Sequence, residues 1–414
     1  MKATSLFLAL LVATGLKACL ALESDVATIG SAGSNPVSPI PRQMEAQKTL
    51  LDPEVYVTCK CLDGTPGAYY VNKNPNGNNT WVIYLDGGGE CVNAEMCKSK
   101  LKTNLGSSTY MANVTWMNRG LLDTNETRNP HFSSANFVRI GYCSQDLWLG
   151  SGFEKTEDDL YFQGRYNVHS VLDDLMLYHG LNECELVIFG GESAGGIGAL
   201  ALMDEVKRSL YVMGSKARVV GSIQGGYYFL NDHTYHGKDP PPAPFIPWGT
   251  NHFPGYLNFW GAADALPEEC TIHHPTQPWR CIVADYSFPH VTTPVFVAES
   301  FTDKTVLPLH NGLPLKNNSN ITRDEYDFMK QWSLTMKGSL ERNVVHRQSG
   351  GSTDSGLFAA ACWTHTNFGD GMRLEGLTRA EALNQWIHGR ETKLMDPCGT
   401  VLCNPTCYNM PDRT

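Results

Sequence analysis

The sequence predicts an α/β fold in which helices flank a mostly parallel central sheet. Short apolar runs of strand type alternate along the 414-residue chain with stretches whose apolar residues recur every three or four positions. Strands that alternate with helices form βαβ units, and the strands of such units run parallel. A hydrophobic content of 42% with a charged content of 18% excludes a disordered chain.

The apolar runs locate the predicted strands at residues 81–85, 137–142, 186–189, 219–223 and 295–298. Helices are predicted over residues 161–180, after Ser193, over residues 322–342 and after Thr378. Thr322 with Glu325, and Thr378 with Glu381, match the capping box that begins a helix.

The N-terminal 49 residues are predicted to lie outside the folded body. Lys2 precedes an apolar run at residues 6–12, and small residues around Ala21 suit cleavage, so residues 1–21 are predicted to be a secretory signal peptide. Residues 22–49 are rich in Ser, Gly, Pro and Ala, and this composition predicts a flexible leader.

Residues 50–414 are predicted to form a single domain, in which residues 232–267 (the cap segment, rich in Pro, His, Tyr and Trp) are a cap or lid insertion. No run after the signal peptide is long enough to span a bilayer, which needs about 20 apolar residues. The sequence therefore predicts a secreted, extracellular protein with no membrane span. The net charge of −10 argues against a nucleic-acid partner, which would need a basic stripe.

Cysteines and glycosylation triplets agree with a secreted protein. Of the 13 cysteines, Cys19 would leave with the signal peptide, and the even number that remains favours disulfides over metal ligands. The local pairs predicted first are Cys91 with Cys97 and Cys270 with Cys281, and no metal site is predicted. Candidate glycosylation triplets begin at Asn78, Asn113, Asn125, Asn317 and Asn320.

Ser193 is the candidate nucleophile. It occupies the centre of the G-x-S-x-G pattern at residues 191–195, after an apolar strand and before a helix of small residues. This strand–turn–helix context is the one that a nucleophile elbow requires. The Ala194 N–H at the helix N-terminus would then stabilise an oxyanion. The alternative is an ordinary glycine-rich turn that binds phosphate or nothing.

A serine nucleophile needs a base and an acid that orients the base, which follow it in the chain in the order acid, then His. Asp303 lies just beyond the predicted strand at 295–298, and Glu299 is its competitor at the strand edge. Among the later histidines we favour His365, because a disulfide at Cys362 would hold its loop. The histidines set aside are His310, His346 and His388.

A second source of oxyanion N–H groups is predicted in the glycine loop (residues 87–89). These glycines follow the strand at 81–85, where hydrolases of this type place such a loop. Without a Cβ in the way, Gly88 and Gly89 can point their N–H groups at an oxyanion. The alternative is a simple β-turn.

Four segments together resemble the pectin acetylesterase family, which includes plant pectin acetylesterases and the animal deacylase Notum. They are CLDGTPGAYY at 61–70, YLDGGGEC at 84–91, YCS at 142–144 and GESAGG at 191–196. With residues 294–303 and 362–365, the resemblance runs from about residue 50 to about residue 407. It implies an α/β-hydrolase-like fold and a pairing of Cys91 with Cys97.

The resemblance also assigns roles by position. It implies Ser193 as nucleophile, Asp303 as acid and His365 as base. It implies oxyanion donors at Gly88, Gly89 and Ala194. The chain departs from the family pattern at Glu90, where a bulky aromatic residue is usual, at Glu192, where a small residue or Cys is usual, and at Gln224, where an acidic residue is usual.

The predicted function is that of a secreted serine carboxylic-ester hydrolase that needs no cofactor. It would remove acyl groups, acetyl first of all, from a polysaccharide such as pectin. One alternative is a Notum-like deacylase that removes a lipid acyl group from a secreted protein. Another, from a different class, is a non-catalytic binding module with a hydrolase fold.

Overall fold

A computed structural model describes residues 44–237, 240–314, 321–346, 354–369, 371–397 and 401–407. In these residues a ten-stranded sheet has the order β10-β9-β8-β7-β6-β3-β5-β2-β1-β4. The strands are β1 Glu45–Leu50, β2 Ala68–Asn72, β3 Thr80–Leu85, β4 Val114–Trp116, β5 Asn136–Ile140, β6 Leu186–Glu192, β7 Arg218–Gln224, β8 Val295–Asp303, β9 Gly356–Thr364 and β10 Lys393–Met395. The helices are α1 Ala94–Lys100, α2 Gly164–Asp174, α3 Ala194–Val212, α4 Phe253–Phe259, α5 Glu268–His273, α6 Ala284–Ser287, α7 Val306–Asn311, α8 Arg323–Leu340 and α9 Arg379–Ile387.

The sheet is parallel from β10 to β5, and antiparallel strands β2, β1 and β4 extend it at one edge. The predicted α/β class with a mostly parallel sheet is therefore confirmed, and the predicted runs correspond to β3, β5, β6, β7 and β8. Parallel strands present their carboxyl ends at the same edge of the sheet, where ligand sites of α/β proteins lie. That edge carries the site described below.

Helices cover both faces of the sheet, as the alternation of buried residues along the strands requires. Ile83 and Phe189 belong to one core cluster, while their neighbours Val82 and Ile188 belong to the cluster on the opposite face. The first cluster includes residues of α3, and the second includes Trp386 of α9. The predicted capping boxes at Thr322 and Thr378 are both formed.

The folded body begins earlier than predicted, since residues 45–49 of the predicted leader belong to β1. This strand pairs with β2 on one side and with β4 on the other. Backbone hydrogen bonds to both neighbours stabilise this strand. The Lys48 ammonium adds to them, because it donates to the carbonyls of Ser108 and Met111 at 3.0 Å each. Only Ala46 is buried, so the strand has no apolar pattern to reveal it. The predicted signal peptide and the leader up to residue 43 lie outside the described residues.

Disulfides fix several loops. The structure pairs Cys91 with Cys97 and Cys270 with Cys281, as predicted, and also joins Cys61 to Cys143 and Cys362 to Cys407. Cys403 is disulfide-bonded as well, whereas Cys59 and Cys184 are buried free thiols.

Among the candidate glycosylation sites, Asn78 and Asn113 are exposed and Asn125 is half-buried. Asn317 and Asn320 lie outside the described residues. Within the described part of the chain, no helix combines the length and apolarity that a membrane crossing requires.

The start of α3 lies very close to the backbone of β3, so a substitution at this contact tests the packing directly. A Cβ at Gly195 would lie 2.1 Å from the Leu85 carbonyl oxygen, whereas one at Gly255 in α4 would meet nothing within 4 Å. We expect Gly195→Ala to lower the free energy of unfolding by about 3 kcal/mol or more. Gly255→Ala should raise it by about 0.5–1 kcal/mol, because alanine loses less backbone entropy in a helix. Denaturant unfolding of both variants measures these changes in the free energy of unfolding. A small change in both variants would contradict the close packing at Gly195.

Candidate active site

Ser193 lies in the sharp turn between β6 and α3. Its backbone has φ 55° and ψ −125°, a conformation that L-residues rarely adopt. The turn needs glycine on both sides, since a Cβ at Gly191 would lie 2.4 Å from the Gly195 carbonyl oxygen. The Ser193 N–H donates to the Gln224 carbonyl oxygen at 2.9 Å. The side chain of Ser193 is thus held at the carboxyl edge of the sheet, where it is half-buried.

The glycine loop lies directly against Ser193. A Cβ at Gly87 would lie 2.9 Å from the Ser193 Cβ, and Gly89 has φ 69°. The Trp148 indole donates to the Asp86 carbonyl oxygen at 3.1 Å, and the Gln145 amide donates to the Gly88 carbonyl oxygen at 3.3 Å. These bonds hold the loop by its carbonyl groups.

The N–H groups beside Ser193 are free to bind an anion. In the described part of the chain, no acceptor lies within hydrogen-bond distance of the N–H groups of Gly88, Gly89 or Ala194. Because α3 has 19 residues and begins at Ala194, its dipole favours negative charge at the same place. The arrangement can stabilise an oxyanion next to Ser193.

Asp303 and His365 meet at the ends of β8 and β9. His365 Nδ1 lies 2.6 Å from Asp303 Oδ2. The other carboxylate oxygen, Oδ1, accepts from the N–H groups of Thr305 and Val306 at 2.8 Å each. Both side chains are buried, and His365 Nε2 has no hydrogen-bond partner among the described residues. The aspartate therefore fixes the tautomer that leaves Nε2 free to accept a proton.

The turn after β7 contacts both the Ser193 turn and the His365 loop. Gly225 has φ 57°, and a Cβ there would lie 2.9 Å from the His365 carbonyl oxygen and 3.2 Å from its Nδ1. The preceding Gln224, whose carbonyl oxygen binds the Ser193 N–H, donates its side-chain amide to the Thr366 carbonyl oxygen. Residues 224–225 therefore touch the serine turn on one side and the histidine loop on the other.

Tyr228 is a site residue that the sequence did not reveal. Its ring is buried, and its hydroxyl contacts the Ser193 side chain. Burial, followed by the negative charge of Asp303, raises the pKa of Tyr228 well above its usual value. The hydroxyl therefore stays protonated and can donate a hydrogen bond beside Ser193.

Glu299, the competitor for the acid role, has a different contact. Its carboxylate accepts from the Tyr227 N–H. Burial, and then the charge of Asp303, raises its pKa well above the usual range. Among the described residues, the ion pair of His365 is with Asp303. Glu299 therefore holds the loop that carries Tyr228.

Glu90 and His310 lie buried next to the glycine loop. Glu90 Oε1 accepts from the Trp248 indole of the cap segment at 2.9 Å and lies 4.0 Å from His310 Nδ1. His310 Nδ1 donates to the Ile246 carbonyl oxygen at 2.8 Å. Burial raises the pKa of Glu90 to about 7 and lowers that of His310 to about 3. His310, set aside for its closeness to Asp303 in sequence, thus lies near the site but bonds to the cap segment.

Among the described residues, the side chains that come closest to a metal-ligand set are Cys270, His274 and His290. Cys270 is bonded to Cys281, so it has no thiolate to offer. Two histidines alone do not fit a structural metal site.

The burial of Glu90 predicts a pH-dependent cost to stability. A carboxyl with a raised pKa binds its proton more tightly in the folded state, so stability falls as pH rises from about 4.5 to about 7. His310 stays neutral in this range. We expect Glu90→Gln to gain up to about 3 kcal/mol over the wild type across this window and to keep that gain at higher pH.

Denaturant unfolding at pH 4.5, 6 and 8 measures this gain. Glu154→Gln, at an exposed site, is the matched control and should show a much smaller change. The raised pKa of Glu90 would be contradicted if Glu90→Gln and the wild type differed in free energy of unfolding by the same amount at every pH.

The chain is similar to known proteins of one family. The family model described as Pectinacetylesterase matches residues 41–408. Palmitoleoyl-protein carboxylesterase notum1a of Danio rerio is 28% identical over 386 residues, which are 86% of this chain and 71% of the relative. Pectin acetylesterase 7 of Arabidopsis thaliana is 27% identical over 374 residues, which are 87% of this chain and 92% of the relative.

A solved structure agrees on the fold. The Wnt deacylase Notum from Drosophila superposes with a TM-score of 0.76 at 23% identity, over 88% of this chain and 99% of that one. The α/β-hydrolase-like architecture is therefore shared along nearly the whole length of both chains. The match to the family model over most of the chain and the named activities of these relatives lead to one conclusion: the chain belongs to the pectinacetylesterase family and is a carboxylic ester hydrolase.

Proposed function

We propose that the protein is a secreted serine esterase that removes acetyl groups from a polysaccharide through Ser193, His365 and Asp303. The observation that carries this proposal is the 2.6 Å bond from His365 Nδ1 to the buried Asp303, which leaves Nε2 unpartnered next to the serine turn. The disulfides among the described residues and the signal-type N-terminus support secretion.

The residues act in the following order. His365 Nε2 takes the proton from Ser193 Oγ as that oxygen attacks the ester carbonyl carbon. The N–H groups of Gly88, Gly89 and Ala194 stabilise the negative charge on the carbonyl oxygen. His365 then gives its proton to the departing sugar oxygen, and an acetyl-Ser193 ester remains. Water, activated by the same imidazole, hydrolyses that ester and restores the serine.

A small cavity lined by Tyr228, whose hydroxyl contacts Ser193, favours a short acyl group. Tyr228 and Trp248 are buried against one another with ring centroids 4.7 Å apart. A cavity lined by these rings and by Asp303 and Val306 has a volume of about 20 Å³, which is roughly the space that a single water molecule needs. A methyl group fits such a space, whereas pockets for larger ligands usually measure about 300 Å³ or more.

The second candidate is a deacylase that acts on a lipid-modified protein. The observation that favours it is the similarity to palmitoleoyl-protein carboxylesterases over most of the chain. This function would require Tyr228 and Trp248 to move apart, so that a long acyl chain enters between them. The length of the acyl group that the enzyme accepts therefore decides between the two candidates.

A series of p-nitrophenyl esters, together with acetylated pectin, tests the substrate. We expect acetate release from the polysaccharide, and a fall in kcat/KM of at least about tenfold from the acetyl to the octanoyl ester, because the longer chain must displace buried rings. Trp248→Ala should reduce this discrimination. Faster hydrolysis of long-chain esters by the wild type, without acetate release from pectin, would favour the deacylase.

The acid role is tested by Asp303→Asn with Glu299→Gln as its matched control. The asparagine cannot stabilise the imidazolium, so kcat should fall by about 10³–10⁴-fold. Glu299→Gln keeps an acceptor for the Tyr227 N–H, and we expect kcat to change by less than about tenfold. A loss in the glutamine variant as large as that in the asparagine variant would assign the acid role to Glu299.

A further inference from the structure

A buried tyrosine hydroxyl lies beside Ser193, on the side opposite to the glycine loop. Tyr228 follows β7 and the glycine loop follows β3, and these two strands flank β6, which ends just before Ser193. The Tyr228 hydroxyl contacts the Ser193 side chain, and a Cβ at Gly87 would lie 2.9 Å from the Ser193 Cβ. The serine therefore lies between backbone N–H groups on one side and a phenol on the other.

Neighbouring contacts fix the position of the Tyr228 ring. Its centroid lies 4.7 Å from that of Trp248 and 5.7 Å from that of His310, both in edge-to-face geometry. The Tyr228 carbonyl oxygen accepts from the Ala284 N–H at 2.7 Å, and the Glu299 carboxylate holds the N–H of the preceding residue. Only 7% of the Tyr228 surface is exposed. The hydroxyl is therefore held in place before a substrate binds, as catalysis by a preorganised donor requires.

The ester hydrolysis proposed above places negative charge on two different oxygens. The ester carbonyl oxygen becomes an oxyanion, and the N–H groups of the glycine loop and of Ala194 are the donors for it. The other oxygen is Ser193 Oγ, which gains charge when it loses its proton and again when the acyl-enzyme bond breaks. A hydroxyl oxygen has two lone pairs, so Oγ can accept a hydrogen bond with one pair while the other attacks the carbonyl carbon.

We propose that Tyr228 is a further catalytic residue, whose hydroxyl donates a hydrogen bond to Ser193 Oγ and stabilises the negative charge on that oxygen. During deacylation, the electron pair of the bond between Oγ and the acetyl carbon passes to Oγ. Oγ then takes the proton that His365 Nε2 has removed from the attacking water, and Tyr228 keeps its own proton throughout. This inference rests on the proposed serine esterase function and adds a residue to its mechanism.

Tyr228→Phe tests this role, because it removes the hydroxyl and keeps the ring that packs against Trp248. Hydrogen bonds to charged groups are stronger than those between neutral groups. We therefore expect kcat for p-nitrophenyl acetate to fall by about 10–100-fold, while KM changes by less than about threefold. The melting temperature should stay close to that of the wild type.

Tyr227→Phe is the matched control. The Tyr227 hydroxyl lies 2.9 Å from Ser339 Oγ in α8 and accepts from Asn343 Nδ2 at 2.9 Å. We expect this variant to show the opposite pattern, with a lower melting temperature, because Asn343 loses an acceptor, and a kcat within about threefold of the wild type. A fall in kcat that follows the loss of stability in both variants would give Tyr228 a structural role and overturn the proposal.

The two chemical steps provide a readout that a loss of packing would not produce. p-Nitrophenolate leaves readily, so acylation by this ester depends less on charge stabilisation than deacylation, in which Oγ is itself the leaving group. In Tyr228→Phe we expect the rate constant for deacylation, followed by intact-mass spectrometry of the acetyl-enzyme, to fall more than that for acylation. Replacing Tyr228 by para-aminophenylalanine, which keeps a donor on the ring, should give a kcat at least about tenfold above that of Tyr228→Phe.

The outcomes separate this role from the proposed function. Turnover that is lost in Ser193→Ala but unchanged in Tyr228→Phe, or equal rates for the phenylalanine and para-aminophenylalanine variants, would overturn the role of Tyr228 and leave the serine esterase standing. Wild-type turnover that persists in Ser193→Ala would overturn the proposed mechanism and the role of Tyr228 with it.

Discussion

The turn at Ser193 is the constraint on which the rest of the site depends. A residue other than glycine at φ 55° costs about 1–3 kcal/mol and persists only where its surroundings hold it. Here the close approach of Gly191 and Gly195, and the bond from the Ser193 N–H to the Gln224 carbonyl oxygen, supply that support. The same close approach places the start of α3 and the glycine loop beside Ser193, so the strained turn and the unbonded N–H groups next to it have one origin.

Two neighbouring acids on β8 show how environment separates roles. Asp303 and Glu299 are both buried, yet the first accepts from loop N–H groups and from the imidazole, while the second accepts from the backbone of the tyrosine loop. One carboxylate thus binds the His365 imidazole, and the other holds the loop that carries Tyr228. A third buried acid, Glu90, lies next to the glycine loop and accepts a hydrogen bond from the Trp248 indole of the cap segment.

Much of the fold followed from local patterns, and the remainder depended on tertiary contacts. Continuous apolar runs revealed β3, β5, β6, β7 and β8, because strands buried on both faces must be apolar throughout. Strands β1 and β4, at the antiparallel end of the sheet, were not predicted because few of their side chains are buried. Strand β9 was not among the predicted strands, although residues 357–362 are an apolar run that follows a stretch rich in Gly and Ser.

The site residues also fall into two groups, those that the sequence pattern revealed and those that depend on tertiary contacts. Ser193, Asp303 and His365 stood out because the chemistry restricts their order and their position after strands, and the structure brings Asp303 and His365 into contact. Tyr228 did not stand out, because no short-range pattern joins it to Ser193. Only the fold brings these two side chains into contact.

The central claim is that Ser193 is the nucleophile and that its reactivity depends on His365. Intact-mass spectrometry after treatment with a fluorophosphonate probe measures this most directly. The account predicts a single adduct on the wild type that maps to the peptide containing Ser193, no adduct on Ser193→Ala, and much slower labelling of His365→Ala. An adduct on Ser193→Ala, or wild-type labelling at another residue, would contradict it.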